Sequence, residues 1–119
     1  MAERIIIVGA GTMGQSIGRL FANHGWAVHA VDPTNAAREA FLATVSDATA
    51  SADLEGAGRA DIALECVPES LALKQKVFAA LESVVPKGAP ILSNTSGLTL
   101  ADMSAQMLHP DRAIITHFF

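Results

Sequence analysis

The sequence predicts a doubly wound, parallel α/β sheet in a single domain, and three observations carry that prediction. Short, continuously apolar runs rich in Val, Ile and Ala alternate along the whole chain with segments whose apolar residues recur at helical spacing. The connections between them are short, and parallel strands need a crossover element, with helices covering both faces of the sheet. The chain has 119 residues, enough for one domain and too few for two.

Residues 4–10, Arg-Ile-Ile-Ile-Val-Gly-Ala, are β-branched and apolar without alternation, as a strand covered on both faces requires. A helix over 12–24 follows, with Met13, Ile17, Leu20 and Phe21 on one face. The second strand, 27–31, ends at Asp32-Pro33, and Asn35 is the expected N-cap of a helix reaching about residue 45. Residues 46–60 carry the weakest pattern, and a short third strand is expected at 48–52. The buried pattern returns at 61–67, Asp-Ile-Ala-Leu-Glu-Cys-Val. Residues 70–85 then form a helix whose Leu73, Val77, Leu81 and Val84 make an apolar stripe, stopped before Pro86. A fifth strand at 89–93, a short helix at 99–108 capped by Thr99 or Ser96, and a sixth strand at 113–118 complete the alternation.

Composition narrows the function. Half of the residues are hydrophobic and 17% are charged, which excludes a disordered chain. A net charge of -4 leaves no basic surface to neutralise phosphates along a nucleic acid, so the expected partner is a small molecule. The single cysteine, Cys66, cannot form an internal disulfide and sits in an apolar run as a small core residue, which fits a reducing compartment. Met-Ala-Glu-Arg leads straight into Ile5-Ile6-Ile7-Val8-Gly9, too short an apolar stretch for a signal peptide or a membrane span. A cytoplasmic location without a membrane partner or a metal is the expectation.

Gly9-Ala10-Gly11-Thr12-Met13-Gly14 leaves the first strand, opens the first helix, and is followed by Asp32 at the tip of the next strand, 18 positions after the last glycine. In that context the string is a Rossmann-type dinucleotide fingerprint. Gly9 permits the tight strand-to-helix turn, Gly11 lets the backbone approach a pyrophosphate, and Gly14 lets the helix pack closely on the sheet, while unpaired amides at the helix start attract the anion. Gly18, one turn on, is expected to extend that close contact. Asp32 can accept hydrogen bonds from an adenosine ribose diol and its charge repels a 2′-phosphate, with Arg38 the nearest basic residue that follows. That favours NAD over NADP, and over a flavin.

Four blocks in order then resemble one family: Val8 to Gly14, Asp61-Ile62-Ala63-Leu64-Glu65-Cys66-Val67-Pro68-Glu69, Ser93-Asn94-Thr95-Ser96 and His117-Phe118-Phe119 look like successive blocks of the L-3-hydroxyacyl-CoA dehydrogenases. The resemblance implies a Rossmann NAD domain followed by a helical domain that dimerises and encloses a hydroxyacyl substrate, hence a homo-oligomer. It makes the loop of Gly9, Ala10, Gly11, Thr12, Met13 and Gly14 the pyrophosphate site and Asp32 the ribose acceptor. Glu69 and Lys74 match the acidic and basic residues near the nicotinamide side. Ser96 matches the serine that hydrogen-bonds substrate and cofactor, Asn94 lies beside it, and His117 matches the catalytic base.

The chemistry supports these roles separately. Removing hydride from a secondary alcohol needs a base for the hydroxyl proton, and histidine titrates close enough to neutrality to take and return it. Unaided by the blocks, a serine after a strand is commonly a helix cap, a histidine at a strand end a satisfied surface residue, and Lys74 a solvated charge. His24, His29 and His109 match no block and read as structural.

Two departures from the family pattern shape the expectations. Only 29 positions separate Asp32 from Asp61, where the family usually places a longer helical excursion contributing to coenzyme A contacts, and the cations there are Arg38 and Arg59 alone. A smaller hydroxy acid, as used by related gulonate or carnitine dehydrogenases, is therefore an alternative to an acyl-CoA. After the His-Phe-Phe block the family continues with Asn-Pro, a glutamate that pairs with the histidine, and the helical domain. The 119-residue chain is accordingly expected to bind NAD, to turn over poorly or not at all, and to self-associate through the face that domain covers. The competing reading is a non-catalytic dinucleotide-binding module, a redox sensor or a degenerate relative, which has no need of Ser96 or His117.

Overall fold

Six strands form one parallel sheet in the computed structural model, which describes residues 3–116. In chain order the elements are β1 (Arg4–Val8), α1 (Thr12–Asn23), β2 (Ala27–Val31), α2 (Asn35–Thr44), β3 (Thr49–Ser51), β4 (Ile62–Glu65), α3 (Leu71–Leu81), β5 (Ile91–Ser93), α4 (Leu100–Met103) and β6 (Ala113–Ile115). The strand order is β3-β2-β1-β4-β5-β6, so the chain builds outward from β1 in one direction and then, from β4, in the other. This is the doubly wound Rossmann arrangement expected from the sequence.

The isoleucine run of β1 explains why the sheet is covered twice. Ile5 and Ile7 face one layer, where Ile17, Phe41, Val45 and Leu64 close a core under α1 and α2. Ile6 and Val8 face the other, packed with Val31, Phe78, Leu81, Ile91 and Met103 under α3 and α4. Strand pairing sets Ile6 between His29 and Ala63, and Val8 between Val31 and Glu65, which brings the ends of β1, β2 and β4 level.

Several local expectations are corrected. Thr34, not Asn35, is the N-cap of α2; the Asp32 carboxylate accepts the Thr34 N–H at 2.8 Å, and the helix starts one residue earlier, at Asn35. On α3 the buried face is Lys74, Phe78 and Leu81, whereas Leu73 is exposed. Both stripes fit a 3.6-residue period, and the Phe78 ring together with the ion pair of Lys74 decides between them. Lys74 is thus buried rather than solvated. The helix expected over 99–108 shortens to α4, whose cap is Thr99, accepting from the Asp102 N–H at 3.2 Å; Ser96 lies outside it. Gly18 meets α2 rather than the sheet, since a Cβ there would lie 2.7 Å from the Phe41 ring. The sixth strand expected over 113–118 ends at Ile115, with Thr116 beyond it, and residues 117–119, His117 among them, lie outside the described residues.

His29, on β2, holds the third strand. Its ring nitrogens hydrogen-bond the hydroxyls of Thr49 at 2.7 Å and Ser51 at 2.8 Å. Burial, with Arg4 nearby, pulls its pKa down to about 4, so the imidazole is neutral at physiological pH. Among the described residues no helix is long and apolar enough to cross a membrane.

Candidate dinucleotide-binding site

At the carboxyl end of β1 the connections leave toward opposite faces, and open α/β sheets bind ligands in the crevice that this leaves. The loop there is built so that only glycine fits. Gly9 adopts φ +107°, a region L-residues rarely enter, and a Cβ on it would lie 2.5 Å from the Cys66 carbonyl oxygen. A Cβ on Gly14 would lie 2.1 Å from the Gly9 carbonyl oxygen, so α1 begins in backbone contact with its own loop. Gly11 differs: nothing stands within 4 Å of a Cβ added there. It is the N-cap of α1, with no side chain capping the helix and no acidic residue in the first turn. The first-turn amides of Thr12, Met13 and Gly14 therefore lack intrahelical acceptors and face no competing carboxylate on their own helix. Such a start attracts an anion, and the free space at Gly11 is what a phosphate needs to reach those amides.

Asp32 stands beside this loop. Its carboxylate accepts the Ala10 N–H at 2.9 Å and the Thr34 N–H at 2.8 Å, one on each oxygen. Each oxygen keeps a further lone pair for a ligand hydroxyl. The Arg38 guanidinium is turned to the Asp32 main-chain oxygen, 2.7 Å away, and to Asn35 Oδ1 at 3.1 Å. Between the ends of β1 and β2 and the flank of α3 lies a cavity of about 560 Å³, lined among others by Gly9, Val31, Asp32, Leu54, Leu73, Lys76 and Val77. That volume is in the range of small-molecule sites, and its walls are mostly apolar, as a flat aromatic base requires. Leu73, exposed as a core residue, is a wall of this cavity.

On the other side of β1, a cluster of charge links the ends of β4 and β5. Glu65 ends β4 fully buried and is paired with Lys74, itself 1% exposed. The Glu65 carboxylate also accepts the Val67 N–H at 2.7 Å and the Ser93 hydroxyl at 2.6 Å. Lys74 donates further to the Val67 carbonyl oxygen and to Glu69, each at 3.1 Å. Thr95, buried, hydrogen-bonds the Glu69 carboxylate at 2.8 Å through its hydroxyl. Burial pushes the Glu69 carboxyl up, but hydrogen bonds from Thr95 and Lys74 and the lysine charge outweigh it and hold the group below the usual carboxylate range. Asn94 donates its N–H to the Glu65 carbonyl oxygen at 3.0 Å, and the Ser96 side chain is exposed on the loop beyond Thr95. The Cys66 thiol is pushed up to about 12 by burial and by Glu65, against the opposing pull of Lys74.

The sequence-derived residues thus fall into two groups at one edge of the sheet. Gly9 to Gly14 and Asp32 touch one another through the Ala10 to Asp32 hydrogen bond. Glu69, Lys74, Asn94 and Ser96 gather at the ends of β4 and β5, while His117 lies outside the described residues. Sequence reasoning missed Glu65, Ser93 and Thr95. The available signal was Glu65 itself, a carboxylate inside an otherwise apolar strand, which must find a buried partner.

Comparison with known proteins converges on one family. The family model described as "3-hydroxyacyl-CoA dehydrogenase, NAD binding domain" matches residues 4–52 and 37–119. Residues 37–52 are matched twice, as expected if the family carries more chain there than this protein does. A probable 3-hydroxybutyryl-CoA dehydrogenase of Bacillus subtilis is 29% identical over 98% of this chain and 48% of its own length. L-carnitine dehydrogenase of Streptomyces coelicolor is 30% identical over 98% of this chain and 43% of its own. The crystal structure of (S)-3-hydroxybutyryl-CoA dehydrogenase from Ralstonia eutropha superposes with a TM-score of 0.86 at 27% identity, covering 100% of this chain and 50% of that one. The chain therefore spans about half the length of these relatives.

Proposed function

On the premise that this chain belongs to the 3-hydroxyacyl-CoA dehydrogenase family, as its NAD-binding domain, we propose that it holds NAD along the carboxyl edge of its sheet for hydride exchange with a 3-hydroxyacyl compound. The observation that carries the reading is the side-chain-free start of α1 at Gly11, set beside the Asp32 carboxylate and the apolar cavity. The loop amides would hold the pyrophosphate, Asp32 the ribose diol, and Leu73 and Val77 the adenine. The Asp32 charge selects against a 2′-phosphate.

When bound, NAD supplies the acceptor for the hydride. The chain's own groups do the rest. His117 takes the hydroxyl proton onto an imidazole nitrogen as the substrate carbon is oxidised and returns it in the reverse direction. Ser96, exposed at the head of its loop, orients the substrate oxygen, with Asn94, Glu69 and Lys74 fixing the nicotinamide side. Relatives named for both acyl-CoA and L-carnitine substrates fit either a 3-hydroxyacyl-CoA or a smaller 3-hydroxy acid. Sparse positive charge between Asp32 and Asp61 favours the smaller acid.

Turnover is proposed to need the further half that the relatives possess, which would enclose the site and exclude water. The exposed Leu108 and Ile114 are consistent with a homo-oligomer or a covering domain on that side. The test is an assay of the purified 119-residue chain with NAD and 3-hydroxybutyryl-CoA or L-carnitine, alongside NADH binding. Binding without sustained turnover supports the reading. Robust oxidation of either substrate would refute the need for a second half, and absence of NADH binding would refute the site.

A further inference from the structure

Among the described residues Glu65 and Lys74 form a buried ion pair, and the proposed hydride transfer gives its carboxylate member no role. We propose that Glu65 is a positioning residue for the nicotinamide half of the site, acting through Lys74. This rests on reading the sheet edge as a dinucleotide site.

The argument begins with donors and acceptors. A lysine ammonium has three protons to give. Lys74 gives them to Glu65, to the Val67 carbonyl oxygen and to Glu69, so none remains for a ligand. Its influence on the site is therefore exerted through Glu69, whose side chain is 47% exposed where that of Lys74 is 1%.

Glu65 governs the second loop as well. It accepts the Ser93 hydroxyl, whose oxygen in turn accepts the Thr95 N–H at 3.1 Å. Thr95 is held from its other end by Glu69, and its hydroxyl oxygen accepts the Leu98 N–H at 3.3 Å. The segment carrying Asn94 and Ser96 is thus pinned through Ser93 to Glu65 and through Thr95 to Glu69. One buried carboxylate fixes the loop after β4 and the loop after β5 together. Charge-assisted hydrogen bonds are the strong members of such networks, and removing one partner leaves the other buried and unpaired.

The location makes the effect selective. Asp32 lies at the end of β2 and the Ser93–Thr95 arm of the Glu65 cluster at the end of β5, while Val67, whose main chain Glu65 and Lys74 hold, also lines the apolar cavity. A dinucleotide bridges those two strand ends, whereas its adenosine half needs only the first.

The test compares NADH with ADP-ribose, which lacks the nicotinamide, in titrations of the 119-residue chain with melting curves run in parallel. Glu65→Gln keeps the shape but offers one acceptor oxygen where two are used. NADH affinity is expected to fall about tenfold while ADP-ribose, which meets the cluster only through Val67, falls no more than about threefold. The emission of bound NADH should shift back toward that of free NADH. Lys74→Met should act in the same direction. Should E65Q not fold, Ser93→Ala, which removes one hydroxyl, decides the matter with a loss of about threefold confined to NADH. Equal losses for both ligands, or none for either, would overturn the positioning role. Failure of the wild-type chain to bind ADP-ribose would instead overturn the dinucleotide site on which the proposal stands.

Discussion

Two glycines of one loop, Gly11 and Gly14, separate a fold requirement from a ligand requirement. An alanine Cβ at position 14 would stand 2.1 Å from the Gly9 carbonyl oxygen. That oxygen cannot retreat easily, because the Gly9 N–H is tied to the Val31 carbonyl oxygen at 2.8 Å and its Cα lies against Cys66. Restoring an ordinary contact requires α1 to lift by about 1 Å, and overpacking of this kind costs about 1–3 kcal/mol. For a domain of this size that lowers the melting temperature by roughly 5–15 °C. Gly14→Ala is therefore expected to lose stability and, because the helix start moves, NADH binding too. At Gly11 a Cβ meets nothing within 4 Å and the backbone is extended. Gly11→Ala should cost less than about 1 kcal/mol, the difference between glycine and alanine as helix caps. The methyl nonetheless occupies the approach to the first-turn amides, and NADH affinity should fall at least about tenfold. Calorimetric melting and NADH titration of both variants check this. A G11A chain that binds NADH like the wild type would refute the role of the loop, and a G14A chain that melts with the wild type would refute the steric argument.

Three further outcomes follow from single groups. Asp32→Asn removes the charge and one acceptor of a carboxylate already receiving two backbone N–H groups, so NADH should weaken while NADPH gains relative to it, as read by paired titrations. His29 has a folded-state pKa of about 4, below the ordinary 6.5. Its contribution is present above the unfolded value and is lost as pH falls through the window between the two, by roughly 1–2 kcal/mol after allowance for screening; urea unfolding of wild type and His29→Gln across that window should converge at the acid end, and parallel curves would refute the assignment. Cys66, its thiol pushed up to about 12, should resist iodoacetamide at neutral pH until the chain is unfolded, and rapid labelling of the folded chain would contradict the burial argument.

The parts of the fold that were legible in the sequence are those with a single physical solution. A run of isoleucines ended by glycine can only be a strand buried twice, and β2 occupies residues 27–31 as read. The glycine loop was legible because each glycine answers a separate steric demand, and the structure meets two of them with backbone atoms within 2.5 Å of a Cβ. Residues 46–60 were weakly readable because β3 is an edge strand joined to β2 by the hydroxyls of Thr49 and Ser51 on His29, a polar pairing with no apolar signature. On the α3 stripe Leu81, Val77 and Val84 meet the core as read and Leu73 does not, because one helix serves two apolar surroundings, the core through Phe78 and Leu81 and the cavity through Leu73. The pairing of Lys74 with Glu65 escaped because it depends on how α3 lies against β4, and nothing in sequence spacing announces a partner in another element.

The central claim is that the carboxyl edge of this sheet is an NAD site whose selectivity resides in Asp32. Calorimetric titration of the 119-residue chain with NADH and NADPH tests it most directly. A single saturable site that prefers NADH by at least about tenfold is predicted from the repulsion of a 2′-phosphate by the Asp32 carboxylate. No saturable binding of NADH, or NADPH binding as tight or tighter, would contradict it.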